Sequence, residues 1–127
     1  MRDFGVMERL RATLGDVVLT EFTVDRSRAQ TVGVFQQRGS YPALATIGGR
    51  LNRSYEVCPL TLLVRWGRDG RAAAVKAYEI HDALVAAEDE AGYFKAIFDG
   101  PISIGMDERG VHEFTIDVDV YTKKEGN

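Results

Sequence analysis

The sequence predicts an α+β domain, a mostly antiparallel β-sheet with two main helices packed on one face. Three observations carry this. Residues 112–121 alternate strictly: His112, Phe114, Ile116, Val118 and Val120 point one way, and Glu113, Thr115, Asp117, Asp119 and Tyr121 the other. Successive side chains of a strand face opposite sides, so this segment has one apolar and one largely acidic face. Residues 70–87 carry Ala73, Ala77, Ile80 and Leu84 at spacings of four, three and four, the stripe of a helix covered on one side. The element order α, β, β, β, α, β, β, β interposes a single helix among strands, as α+β folds do.

The elements follow in order. Asp3 caps a first helix on which Met7, Leu10 and Leu14 repeat, and Gly15 stops it. Val17 to Val24 is β-branched enough for a strand, and Asp25 to Gln30 is turn-like. Thr31 to Gln36 forms a second strand in which Gly33 weakens the pairing or marks a bulge. Residues 38–54 form an irregular connection. Tyr41 is pushed toward extended geometry by Pro42, and Gly48-Gly49 signals a turn. A connection this long in a small domain is often functional.

Tyr55 to Trp66 is the central strand. Cys58, Leu60, Leu62, Val64 and Trp66 share one face, and Val57, Thr61, Leu63 and Arg65 line the other. Pro59 has no N–H for a ladder, so the strand's first half should be an edge or a bulge. Asp69-Gly70 turns the chain into the long helix, whose alanines allow close approach to a sheet. Tyr93 to Phe98 reads as a strand with Phe94, Ala96 and Phe98 inward. Residues 101–105 and 111–121 form a final hairpin turned at 106–110. Residues 123–127 read as a frayed tail.

A length of 127 residues suits a single domain over 1–127 that buries a core without covalent staples. Cys58 is the one cysteine, which excludes an intrachain disulfide framework and fits a reducing compartment. No apolar run approaches a membrane span, and residues 1–15 lack the apolar core of a secretory signal. The expected setting is a cytoplasm. A net charge of −3 gives no global drive toward nucleic acid or membrane. The distribution says more. Between Arg26 and Arg53 stand five arginines (26, 28, 38, 50 and 53) and no acid, whereas acids dominate 79–90 and 99–119. Such asymmetry points to interaction surfaces. The arginines are scattered rather than interleaved with aromatics on one face, which disfavours sequence-specific reading of nucleic acid.

Catalytic and ligand-binding chemistry find weak footing. A nucleophile site would need Cys58 or Ser40 with His81 or His112, and no sequence feature brings them together. A metal site would use Asp117 and Asp119, perhaps with Glu113, about 7 Å apart per two-residue step, but no glycine-rich ligand loop accompanies them. Gly48-Gly49-Arg50 lacks the remainder of a phosphate-binding loop. No cofactor, metal or catalytic residue is expected, and the chain reads as no enzyme.

Three blocks resemble a known pattern: SYPALATIGGRL (40–51), YEVCPLTLLVRWGRDGRAAAVKAYEIHDAL (55–84) and PISIGMDERGVHEFTIDVDVY (101–121). Together they are similar to the minor capsid and tail-terminator family of long-tailed bacteriophages, the small proteins of the head–tail joint. The last block is the most specific, with its P-I-x-x-G, its Asp-Glu-x-Gly turn and His-Glu-Phe leading into the alternating strand. The N-terminal third matches only in element order. The resemblance implies a virion structural protein made in the host cytoplasm. It would form a ring, commonly a hexamer, that caps the tail tube and joins it to the head connector. A ring needs unlike patches that meet between neighbouring copies. Arg50 and Arg53 on the basic side, with Asp117 and Asp119 on the acidic side, are the candidate interface or lumen residues. DNA would pass the pore without sequence-specific binding, and an acidic wall would repel its phosphates.

The competing expectation is a small-molecule-binding α+β module or small enzyme, with its site under the 38–54 loop. A cavity lined by convergent polar groups would favour it, whereas an exposed apolar patch would favour assembly.

Overall fold

The computed structural model describes residues 5–15, 17–36, 41–42, 55–89 and 92–123. Its elements in chain order are α1 (Gly5–Leu14), β1 (Leu19–Glu21), β2 (Gln30–Gln36), β3 (Tyr41–Pro42), β4 (Tyr55–Trp66), α2 (Gly70–Ala86), β5 (Glu88–Asp89), β6 (Gly92–Ala96), β7 (Ile102–Met106) and β8 (His112–Lys123). The Asp3 cap, the Gly48-Gly49 turn and the tail beyond 123 fall outside the described residues.

The α+β class is as expected. One sheet runs in the order β1-β2-β4-β8-β6-β5, with β3 beside β4 and β7 beside β8. The long strands β4 and β8 form its spine, antiparallel and in unbroken register from Arg65↔Glu113 to Tyr55↔Lys123. Because β4 fills one edge of β8, β6 and β7 share the other, β6 opposite 118–122 and β7 opposite 112–115. Helix α2 lies against β4, β6 and β8, and α1 packs on α2. The core between helices and sheet is the set that alternation and helical spacing nominate. Leu60, Leu62 and Val64 of β4 and Ile116, Val118 and Val120 of β8 meet Met7, Leu10, Ala73, Ala77, Ile80 and Leu84. Burying these side chains is the main stabilising term, at about 1.5–3 kcal/mol for each large aliphatic one.

Local signals fix the helix ends. Asp69 caps α2, its Oδ1 accepting from the backbone N–H groups of Arg71 (3.0 Å) and Ala72 (3.2 Å). Gly15 follows α1 with φ +64 and donates its N–H to the Arg11 carbonyl at 3.0 Å.

Four expectations are corrected. The strand expected over 17–24 shrinks to Leu19–Glu21 and pairs with β2 in parallel. Parallel neighbours need a crossover. Here the crossover starts at Phe22, whose φ of +61 turns the chain out of the strand. Gly33 marks no bulge, since the β2–β4 register is continuous across it. Its role is clearance: a Cβ there would lie 2.6 Å from both the Thr23 carbonyl oxygen and Val24 Cγ2, so the crossover rests on bare backbone. Pro59 interrupts nothing on the β8 side, where it sits opposite Asp119. On the far side the described β2 pairs stop at Leu60 and the β3 pairs begin at Val57, so Pro59 falls between two short partners. Finally, β6 ends at Ala96, so Phe98 turns outward and is 49% exposed.

Candidate functional site

The sheet face away from the helices carries the charged residues. Across it run the rows Thr31–Arg65–Glu113, Phe35–Thr61–Asp117, Pro59–Asp119–Lys95 and Val57–Tyr121–Tyr93. The last row is closed by a parallel stack of Tyr93 on Tyr121, with centroids 4.7 Å apart. The acids of β8 therefore each stand in a mixed row. Asp117 Oδ1 accepts from the Thr61 hydroxyl at 2.7 Å. Asp119 lies level with Lys95. Both are half-buried. Arg50 and Arg53 lie outside the described residues, as do Ser40 and the Gly48-Gly49-Arg50 turn.

At one end of this face sits a feature the sequence reading placed only on a mixed strand face. The Arg65 side chain has no solvent exposure, and its Nη1 donates to both Asp107 Oδ2 (2.9 Å) and Glu113 Oε2 (2.8 Å). Burial alone would push the guanidinium's pKa down. Hydrogen bonds to Glu113 and then Asp107, with their charges, outweigh it and hold the pKa above the ordinary arginine value. Asp107 also organises the β7–β8 turn, where its Oδ1 accepts the N–H groups of Arg109 (2.8 Å) and Val111 (3.0 Å). The Val111 bond, then the bond from Arg65 and that from Arg109, lower its pKa against the opposing effect of desolvation. Arg26 reaches Glu113 at 3.7 Å, and Arg109 donates to the Arg26 carbonyl at 3.0 Å, tying the crossover to the same cluster. Arg65 Nε and Nη2 are buried without a partner among the described residues. The arrangement is a clamp: its carboxylates are engaged by a cation and by backbone N–H groups. A basic residue at an alternating strand position, facing an acid at the matching position of β8, was the signal available in the sequence.

The nucleophile and metal candidates are not assembled. Cys58 lies in the core opposite Val120, whereas His112 opens β8 eight positions away, roughly 26 Å of strand. His112 packs its ring against Gly70 at the start of α2. His81 is buried, with Nδ1 3.1 Å from Asp82 Oδ1 and Nε2 3.3 Å from the Phe98 carbonyl. Among the described residues no three His, Cys, Asp or Glu side chains gather to hold a metal, and no helix is long and apolar enough to cross a membrane.

What stands out is exposed apolar surface. On the outer stripe of α2, Val75, Tyr78 and Val85 face away from the core. The Tyr78 ring lies over Gly100, where a Cβ would come within 2.8 Å of it. Ile97 and Phe98 follow in the bend after β6. Every residue of β7 is exposed, with Ile104 at 53% and Met106 at 64%. Beneath Phe98 a groove of about 370 Å³ opens between α2 and β6, lined by His81, Val85, Tyr93, Phe94 and Asp99 among others. At the opposite end of the sheet, Val18 and Phe22 are exposed beside β1. A hollow of about 470 Å³ lies between Val18, Arg28 and Trp66. The sequence reading missed these residues because hydrophobicity alone does not separate an inward from an outward apolar side chain once a strand bulges or ends.

The fold is α+β, and large apolar side chains stand exposed on α2, in the bend after β6 and on β7. No family model matches the chain, and no curated protein matches it.

Proposed function

We propose that this chain is a structural protein of the phage head–tail joint, a tail terminator or completion protein that works as a ring of copies, six by the family's habit. The observation that carries the reading is the set of large apolar side chains exposed on the outer stripe of α2, in the bend after β6 and on β7. Apolar side chains exposed in such number on a small domain are the kind of surface that a protein partner covers. The three sequence blocks that resemble the tail-terminator family supply the identity of the assembly. In this reading the protein acts by geometry and turns nothing over. Its partners are its own copies, the tail tube and the head connector, and DNA passes through without base contacts. The protein is carried in the virion after assembly in the host cytoplasm. Asp117 and Asp119, on the helix-free face, are the residues proposed to border the pore.

The test is deletion of the gene in a phage that encodes it. Filled heads and tails that fail to join, or tails of irregular length, are expected by electron microscopy. Normal joined particles would overturn the reading and move the small-molecule-binding alternative forward.

A further inference from the structure

We infer that His81 latches the bend after β6 to α2, and that the number and place of its ring protons decide whether the latch is closed. The residue is 7% exposed, and each ring nitrogen faces an oxygen that only accepts. Nδ1 lies 3.1 Å from Asp82 Oδ1, and Nε2 lies 3.3 Å from the Phe98 carbonyl. The imidazolium donates from both nitrogens, whereas a neutral ring has one N–H and one lone pair. Only the charged ring can hold both oxygens at once. The neutral ring must choose. A proton on Nδ1 keeps the bond to the Asp82 carboxylate, and a charge-assisted bond is stronger than one between neutral groups. That tautomer turns the Nε2 lone pair toward the Phe98 carbonyl, and the bend loses its tie.

The bend, residues 97–100, joins β6 to β7. Its near end is fixed where the Ile97 N–H donates to the Asp117 carbonyl at 2.9 Å, and its far end where the Tyr78 ring lies over Gly100. His81 ties the chain to α2 between those two points. Phe98 stands there and walls the groove between α2 and β6, so the latch sets how firmly that wall is held. Imidazoles change charge between about pH 5 and 8, which is where the latch would switch. The charged groups around the ring are few. Asp82 precedes the next turn of its own helix, Asp99 of the bend and Lys95 of β6 line the same groove, and Glu88 of β5 stands opposite Tyr93. Arg9 of α1 packs over the Phe94 ring at 5.5 Å. Strands β4 and β8 turn apolar side chains and the Cys58 thiol toward α2. Tyr78 and Tyr93 stay neutral over this range. Asp82 is the group that water reaches, with a side chain 76% exposed, so its hold on Nδ1 is the step to test.

Nuclear magnetic resonance on the full chain reads both ends of the latch. Long-range proton–nitrogen spectra of the imidazole show which nitrogen carries a proton. The carbonyl carbon shift of Phe98 shows whether its oxygen accepts a bond. At about pH 5 both ring nitrogens should be protonated and the Phe98 carbonyl bonded. At about pH 8 the remaining proton should sit on Nδ1, and the Phe98 shift should move to its unbonded value. His81→Phe should show that unbonded value at both ends of the range. Asp82→Ala should keep the carbonyl bonded throughout, because without the carboxylate the neutral ring carries its proton on Nε2. Should His81→Phe lose its fold, Asp82→Ala still decides, since the site is exposed and alanine favours a helix. A Phe98 shift that stays constant across the range in the wild type would overturn the inference. So would a neutral wild-type ring protonated on Nε2, or an Asp82→Ala variant that responds to pH as the wild type does.

Discussion

Arg65 and Glu113 face each other across the central ladder, and the buried guanidinium donates to the carboxylate at 2.8 Å. The pair lies where the crossover, the spine of the sheet and the β7–β8 turn converge. Its first consequence is an asymmetry between mutants. Glu113→Ala is expected to destabilise by about 3 kcal/mol, because it strips a partner from a buried cation. Arg65→Met is expected to cost clearly more, since it leaves the Asp107 and Glu113 carboxylates close together without their cation, whereas Glu113→Ala leaves Arg65 paired with Asp107. Urea denaturation midpoints check the order; equal losses would mean that packing rather than charge dominates the site.

Asp107 makes the cluster sensitive to acid. Its folded pKa lies below the ordinary 3.8, chiefly through the Val111 N–H. A depressed carboxylate pKa contributes stability that is fully present above the unfolded value and is lost as pH falls through the folded one. Wild-type stability should therefore drop below about pH 3.8 more steeply than that of Asp107→Asn. Denaturation midpoints across that range give the comparison, and parallel curves would remove Asp107 as the responsible group.

Ile80 is 2% exposed in the middle of the α2 stripe. Ile80→Asp places a carboxylate in the apolar core between α2 and the sheet and should cost several kcal/mol. A melting temperature within a few degrees of wild type would show that the helix can turn another face inward.

Asp117 and Asp119 allow a test of the pore assignment. Asp117→Lys with Asp119→Lys should leave particles that assemble yet eject DNA poorly, because lysines attract phosphate. The Thr61 hydroxyl loses its acceptor in this variant, so thermal melting of the purified protein must accompany the infection assay. Normal ejection by assembled particles would place the row away from DNA.

The sequence made the core legible because its periodicities were clean. The even positions of β8 and the Ala73–Ala77–Ile80–Leu84 stripe point inward as alternation and helical spacing require. What could not be read depends on neighbours distant in the chain. Gly33 looked like a weak point in a strand, yet its missing side chain gives room to Thr23 and Val24. Arg65 looked like an ordinary residue on a mixed face until Asp107 and Glu113 came into reach. Phe98 continued an alternating pattern, but the strand stopped two residues earlier. The candidate site fared less well than the core. Asp117 and Asp119 could be placed on one face from sequence, but the exposed apolar residues of β7 follow a bulge between Ser103 and Gly105, and Val75, Tyr78 and Val85 lie on the helix face opposite the core stripe, where helical spacing alone does not say whether a partner covers them.

The β4–β8 ladder has a consequence for how the chain comes off the ribosome. Partners such as Arg65 and Glu113 are 48 positions apart, and Thr61 and Asp117 are 56 apart. Closing loops of that length costs entropy before any pairing repays it, so the ladder forms late and slowly. While translation proceeds, β4 waits with its β8 edge open, and only local structure such as α2 is within reach to shield its apolar side. The nascent chain is thus most exposed to aggregation in the interval before residues 112–123 emerge.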